Sequence, residues 1–238
     1  MIKLAFAVSV AVAGFAIAAP ASSASGTSAA GLSGIAGLSD TISISQTEDT
    51  TPVAGNSFAC GQQKPPHLYT RENHYWRRFY FSDYPEVAAF ARVVSIDLGV
   101  EQTNGQDLAV NLYVTPDNVP AETIDRAQLF FIGNAAFAVP AGTELASVNV
   151  PVRGDIIDTA TTNLVVEVVA PDGSGDDTVF YIGSTPSPET HVSFFSSAFC
   201  DVLEPVPTAE IGAPDMHIIM TVHLVGDAIF ADGFDSAP

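Results

Sequence analysis

The stretch NHYWRRFYF, residues 73–81, holds the side chains best suited to ligand recognition, because two adjacent arginines stand among aromatic rings. If the stretch is a β-strand, alternate side chains point to opposite faces of a sheet. One face then carries Trp76, Arg78 and Tyr80. Exposed aromatic rings stack on the apolar faces of sugars, so we predict that these three residues form a binding surface. The alternative is that the linker or a loop covers them, with Arg78 lying over Trp76.

The other face of the same strand carries Tyr75, Arg77, Phe79 and Phe81. Its two phenylalanines predict that this face is directed toward the core. A buried guanidinium is costly unless it is paired, so Arg77 needs a carboxylate or carbonyl partner. The two arginines therefore point in opposite directions, which argues against a nucleic-acid patch.

A turn with the sequence PDGSGDD is the candidate site for a cofactor, which would be calcium. It contains Asp172, Asp176 and Asp177, and calcium prefers oxygen ligands such as carboxylates. The spacing is similar to the start of an acidic calcium loop, but the downstream bidentate glutamate is missing. The alternative is an ordinary hairpin turn in an acidic protein.

Sequence motifs for catalysis are absent. The chain has no G-x-S-x-G elbow for a serine nucleophile. It also has no H-E-x-x-H motif, no zinc spacing of cysteine and histidine, and no glycine-rich phosphate loop. We therefore predict that the protein is not an enzyme. A hydrolase of unrecognised type is the alternative.

The two cysteines, Cys60 and Cys200, lie far apart in the sequence. In an exported protein such a pair predicts a disulfide. The competing interpretation is a catalytic thiol, which needs a base nearby. Neither FACGQQ nor AFCDVL supplies a base, so the sequence favours the disulfide.

Residues 1–24 predict export from the cell. They contain one lysine, an apolar run from Leu4 to Ile17 and then small residues, as in a secretory signal peptide cleaved between Ala18 and Ala24. We expect the protein to be secreted or at the cell surface, with the periplasm as an alternative. The net charge of −19 repels phosphates, so nucleic acid and anionic lipid are poor partners. No later run is long and apolar enough to span a membrane.

The rest of the chain divides into a linker, a domain and a tail. Residues 25–57 are rich in Ser, Thr, Gly and Ala and predict a flexible linker, although TISIS (41–45) has the pattern of a strand. Residues 58–226 form the domain, and residues 227–238 form a short C-terminal tail.

Short alternating runs separated by Gly, Pro, Asn and Asp fill the domain. In RVVSIDLGV, for example, the residues that share one face are Val94, Ile96, Leu98 and Val100. Eight or nine such runs with almost no helical periodicity predict an all-β fold. We expect a two-sheet antiparallel β-sandwich that is jelly-roll-like, with a closed barrel as the alternative.

Several stretches follow one another in the order of a known accessory domain: NHYWRRFYFSDY, VVSIDLGVEQ, LAVNLYV, VNVPV, NLVVEVVAPDG and IGAPDMHIIMTV. Over roughly residues 57–226 the chain resembles the accessory β-sandwich domain of secreted bacterial proteins, which is attached to extracellular proteases and multi-domain surface proteins. The ending AIFADGFDSAP resembles that of some Gram-negative secreted proteins. The resemblance implies a β-sandwich outside the cell and transfers no catalytic residue.

These observations predict an exported, non-catalytic module for cell-surface or extracellular binding. Its partner would be a polysaccharide or a surface protein. The alternative is a structural or matrix component that calcium stabilises.

Overall fold

The computed structural model describes residues 41–226, apart from the side chains at positions 63 and 64. The predicted signal peptide, the first part of the predicted linker (25–40) and the C-terminal tail lie outside the described residues. Within 41–226, no helix has the length and apolar character needed to cross a membrane.

The described chain is built from β-strands and short 3-10 helices. The strands are β1 (Thr41–Ser45), β2 (Gly61–Lys64), β3 (His67–Thr70), β4 (Asn73–Phe79), β5 (Ala91–Thr103), β6 (Gln106–Pro116), β7 (Phe130–Val139), β8 (Glu144–Ile156), β9 (Thr162–Ala170), β10 (Phe180–Ile182), β11 (Ser184–Thr185), β12 (Phe194–Ser197), β13 (Val202–Pro207), β14 (His217–Ile218) and β15 (Met220–Gly226). The 3-10 helices span Phe81–Asp83, Arg126–Gln128, Ala198–Cys200 and Thr208–Ile211.

Two antiparallel sheets form a β-sandwich. The first sheet has the order β1-β15-β5-β8, with β10 pairing the other end of β5, and the second has the order β13-β12-β4-β9-β6-β7. We number β1, β4, β5, β6, β7, β8, β9 and β15 from 1 to 8. The first sheet then reads 1-8-3-6 and the second contains 2-7-4-5. This is the strand order of a jelly roll, so the predicted fold is confirmed and the closed barrel is wrong.

Alternating apolar side chains on the inner strand faces form the core between the sheets, and Ile96, Val166 and Val222 are fully buried there. One detail of the prediction is wrong. A bulge in β5 between Val93 and Ser95 shifts the alternation, so Val93 is fully buried in place of Val94.

Residues 41–57 belong to the folded domain, which corrects the predicted linker over 25–57. β1 pairs with β15 along its whole length, and Ile44 is buried. Beyond β1, Gln46 Nε2 donates to the carbonyl oxygen of Arg78 at 2.6 Å, and the N–H of Ser57 donates to Glu101 at 3.0 Å. The small polar residues resemble those of a linker, but the alternation in TISIS suits an edge strand.

The predicted disulfide between Cys60 and Cys200 is confirmed. Asn73, the first residue of β4, is fully buried beside it. Its Oδ1 accepts from the N–H of Cys60 at 2.8 Å, and its Nδ2 donates to the carbonyl of Cys60 at 3.1 Å. The bond therefore fixes the segment before β2 to the 3-10 helix that follows β12, next to the start of β4.

Two glycines allow three backbone segments to meet where β10 and β15 share one side of β5. The N–H of Gly183 donates to the carbonyl of Gly99 at 2.7 Å, and the N–H of Ile219 donates to the carbonyl of Gly183 at 3.0 Å. A Cβ atom on Gly183 would lie only 2.5 Å from the carbonyl carbon of Gly99. Gly99 and Gly183 are therefore required where these backbone segments cross, because any side chain would collide with neighbouring atoms.

Candidate functional site

The core face of β4 is as predicted: Tyr75 and Phe79 are fully buried, and Phe81 just beyond the strand is also buried. Arg77 lies on this face with no exposed surface. Burial lowers its pKa, and the adjacent carboxylate of Glu189 opposes that effect.

The partners of Arg77 come from the segment before β12. Its Nη1 donates to the carboxylate of Glu189, to the hydroxyl of Ser193 and, at 3.2 Å, to the carbonyl of His191. The predicted need for a carboxylate or carbonyl partner is confirmed, because both kinds are present.

Arg78 points to the opposite face, as predicted, but it is also fully buried. Its guanidinium lies in a cage of main-chain carbonyls: Nη1 donates to Pro120 at 2.9 Å and Thr123 at 3.0 Å, and Nη2 donates to Val119 at 3.1 Å. These carbonyls belong to residues 117–129, the segment between β6 and β7, which we call the strap. The charge of Arg78 therefore holds the strap on the sheet.

Trp76 lies under the same strap with 2% of its surface exposed. It packs with Ile124 of the strap and with Val165 and Phe194 of neighbouring strands, and its Nε1 donates to Ser196 Oγ at 3.1 Å. The predicted exposed surface of Trp76, Arg78 and Tyr80 is therefore wrong. The alternative, a covering loop, is what the structure shows.

Tyr80 is half-buried and belongs to the anchor of the strap. Its hydroxyl accepts from the N–H of Glu122 at 3.0 Å, and the guanidinium carbon of Arg78 lies 4.7 Å from its ring centre. Its ring centre is 4.1 Å from that of His191, whose two nitrogens each lie 2.7 Å from a carboxylate, Glu122 and Asp83. Arg78 thus lies over Tyr80 and not over Trp76.

The three predicted calcium ligands do not converge. Asp172 accepts from the N–H of Ser174 at 2.9 Å and lies 3.3 Å from Arg71, while Asp177 pairs with His67 at 3.0 Å. Across residues 41–226 no group of three or more His, Cys, Asp or Glu side chains is arranged to hold a metal ion. The chain makes a turn here, but the hairpin given as the alternative is also wrong, because the flanking strands β9 and β10 belong to different sheets.

The outer face of the six-stranded sheet is open beside the strap, and a buried carboxylate lies at its centre. Glu167 of β9 has 4% of its side chain exposed. It accepts from His74 Nδ1 at 2.7 Å, from Asn111 Nδ2 at 2.8 Å and from the Tyr113 hydroxyl at 2.9 Å. His74 Nε2 also lies 3.2 Å from Glu72. Strands β4, β9 and β6 are neighbours, so three strands build this cluster.

Hydrogen bonds within this cluster shift the pKa values of Glu167 and His74 toward their charged forms. Burial raises the pKa of Glu167, but the bonds from His74, Asn111 and Tyr113 outweigh burial and lower the pKa below its ordinary value. Burial lowers the pKa of His74, but its bonds to Glu167 and Glu72 outweigh burial and raise the pKa. Burial and the nearby Glu167 raise the pKa of Tyr113 well above its usual range. The carboxylate of Glu167 is therefore held in its charged form.

A row of rings crosses the sheet over this cluster. Ring centres are 6.1 Å apart for His74 and Trp76, 6.3 Å for Trp76 and Tyr113, and 5.9 Å for Tyr113 and Phe131. Phe131, on the edge strand β7, is 59% exposed. We call Asn111, Tyr113, Phe131, His74 and Glu167 the platform. It joins aromatic surface to hydrogen-bonding groups, the combination that suits a polyhydroxylated ligand.

The sequence interpretation missed most of the platform. Asn111 and Tyr113 occupy the outward positions of LAVNLYV, and Glu167 is the lone charge in NLVVEVV. A charged residue inside an apolar strand was a usable signal, because such a group needs hydrogen-bonding partners on neighbouring strands.

The outer face of the other sheet carries a second polar network. His223 lies between the hydroxyl of Ser43, 2.8 Å from Nδ1, and Asp97 Oδ2, 2.9 Å from Nε2. Asn149 donates to the other oxygen of Asp97 at 2.7 Å. The sequence showed no base beside a serine, and pairing of β1, β15 and β5 is what brings these residues together.

Comparisons with known proteins do not place the chain in a family. No family model matches it, and no curated protein matches it. A solved structure, "Structure of infectious bursal disease virus Gx strain", is similar with a TM-score of 0.25 and 12% identity, over 79% of this chain and 38% of that chain. A similarity of that size supports no argument about fold or function.

Proposed function

We propose that the protein is an exported, non-catalytic module that binds a glycan on the platform. The observation that carries the proposal is Tyr113, whose hydroxyl donates to the buried carboxylate of Glu167 and whose ring packs against the exposed ring of Phe131. The resemblance to accessory domains of secreted bacterial proteins and the disulfide support a place outside the cell.

The platform suits a sugar for two physical reasons. The ring of Phe131 offers an apolar face, and Tyr113 packs edge-on against it, which holds the ring in place. The polar groups beside the rings are already fixed by bonds to Glu167, so they lose little conformational freedom when a ligand binds.

A surface protein is the second candidate partner, because an exposed aromatic side chain is also typical of protein interfaces. A glycan fits better, since the partly exposed hydroxyl of Tyr113, amide of Asn111 and imidazole of His74 are groups that pair with sugar hydroxyls.

The test is a matched pair of variants, Phe131→Ala and Phe130→Ala. The two neighbours are exposed to nearly the same extent, 59% and 61%, but Phe131 is the one whose ring meets Tyr113. Binding would be measured by pull-down on cellulose, chitin and peptidoglycan, and by calorimetric titration with a soluble β-glucan. We expect Phe131→Ala to weaken binding about tenfold or more, as for loss of a stacking ring, and Phe130→Ala to leave it unchanged.

Two outcomes would overturn the proposal. One is that none of these glycans binds the wild-type chain. The other is that both variants bind as the wild type does, since the ligand would then lie elsewhere.

A further inference from the structure

Strand β7 forms an edge of the six-stranded sheet, and its sequence lacks the residues that usually prevent another strand from pairing with an edge. It pairs with β6 on one side, and among residues 41–226 no strand pairs with its other side. Its ten residues, FFIGNAAFAV, contain neither a charge nor a proline. Long, uncharged edge strands readily accept another strand.

The other edges are protected in the usual ways. β13, at the opposite edge of the same sheet, contains Glu204, Pro205 and Pro207. β8, at an edge of the first sheet, contains Pro151 and three charged residues, and β1 is only five residues long. Proline, charge and a short strand are the common devices against edge pairing, and β7 has none of them.

The neighbouring strand β8 does not close this edge. It approaches β7 at Gly133, where a Cβ atom would lie 1.9 Å from the carbonyl oxygen of Arg153. Gly133 pairs with Leu112, a fully buried residue, so this contact is on the core side of β7. β8 makes its ladder with β5 and none with β7, so it does not extend the six-stranded sheet.

We propose that the occupant of this edge is a second copy of the same chain, which pairs antiparallel through its own β7. Two copies, each with a net charge of −19, repel one another. They can approach closely where the surface is uncharged, and β7 provides such a surface over about 33 Å, the length of a ten-residue strand.

The two ends of β7 are complementary in size, as a two-fold interface requires. One end carries the large exposed ring of Phe131, and the outward positions at the other end are Ala136 and Ala138. A two-fold axis near the middle of the strand places each Phe131 beside the small residues of the other copy. The two sheets then form one continuous sheet, with a platform on each side of the junction. The dimer does not depend on the glycan proposal.

The test is the double variant Asn134→Lys with Ala136→Lys in the full chain. Both residues are exposed near the middle of β7, where the two-fold axis brings the lysines of the two copies together. The matched control is Leu145→Lys with Ser147→Lys on β8, which adds the same charge at the same spacing on an exposed edge. Sedimentation equilibrium over a concentration series, without added glycan, measures the dimer constant.

We expect the wild-type chain and the control to dimerise alike and the β7 variant to dimerise at least about tenfold more weakly. Circular dichroism confirms that each variant is folded. A wild-type chain that stays monomeric throughout the series overturns the proposal, and so does a β7 variant that dimerises as well as the control. Neither result affects the glycan proposal, which is measured by binding to the platform.

Discussion

Replacement of Glu189 by alanine should be among the most destabilising substitutions in this protein. Arg77 has no exposed surface, and Glu189 is the carboxylate that contacts it. The Nε and Nη2 atoms of Arg77 have no hydrogen-bond partner within the described residues. When the carboxylate is removed, the guanidinium remains buried and charged, and its remaining hydrogen-bond partners within residues 41–226 are Ser193 and the His191 carbonyl.

The size of the stability loss follows from leaving the buried charge of Arg77 without the opposite charge of Glu189. Loss of one member of a buried ion pair costs about 3–5 kcal/mol, because the other charge is left without compensation. In a domain of this size, each kcal/mol lowers the melting temperature by about 2–4 °C. Glu189→Ala should therefore lower it by roughly 6–20 °C. The double variant Arg77→Met with Glu189→Leu removes both charges and should recover at least half of the loss.

Urea denaturation is the assay, and the single tryptophan is its probe, because Trp76 is buried in the folded state. Glu204→Ala is the control, since Glu204 is exposed on β13 and its loss should change the free energy of unfolding by less than about 0.5 kcal/mol. The reasoning is refuted if Glu189→Ala costs no more than Glu204→Ala, or if the double variant is less stable than Glu189→Ala.

Two further predictions concern pH and packing. The pKa of Glu167 is lowered and that of His74 is raised, so the cluster should contribute its full stability between their ordinary values of 4.5 and 6.5. The contribution of Glu167 to stability is lost as pH falls through its folded pKa. The contribution of His74 is lost as pH rises through its folded pKa. Urea denaturation midpoints measured across this pH range report the loss on the acid side and the loss on the alkaline side. Gly183→Ala should destabilise the fold by at least about 1–3 kcal/mol, because its Cβ would lie 2.5 Å from the carbonyl carbon of Gly99.

Each of these predictions has a control within the chain. His74→Gln should remove the loss of stability on the alkaline side and also reduce the loss on the acid side, because His74 is one of the groups that lower the pKa of Glu167. If the variant loses as much stability on the alkaline side as the wild type does, the pKa of His74 does not change on folding. Gly175→Ala is the control for Gly183, because no atom lies within 4 Å of a Cβ at Gly175. Equal stabilities of the two alanine variants would contradict the proposed crowding at the crossing.

The fold was predictable because strand alternation is a local property of the sequence. Alternating runs such as LAVNLYV predicted strands that the structure contains, and the two distant cysteines predicted the disulfide. The alternation failed at Val94, where the register depends on two neighbouring strands. The composition of residues 41–57 predicted a linker, but pairing with β15 made the start of this segment part of the sheet.

The binding surface was not predictable in the same way. Alternation correctly assigned Arg77 and Arg78 to opposite faces, but it could not show that the strap crosses the outer face and buries Trp76. Whether a surface is open depends on a segment that follows β6 and returns over β4, and no local pattern encodes that path.

The sequence by itself determined the all-β class, the disulfide and the opposite directions of the two arginines, because each follows from side-chain chemistry and the two-residue period of a strand. Only the tertiary structure decided which polar groups meet. Glu167, His74 and Tyr113 lie on strands that are distant in the chain and adjacent in the sheet. Strand order brings them together, and strand order is fixed by packing over the whole domain. The stretch 73–81 therefore anchors the strap, and the exposed ring lies instead at Phe131 on the edge of the sheet.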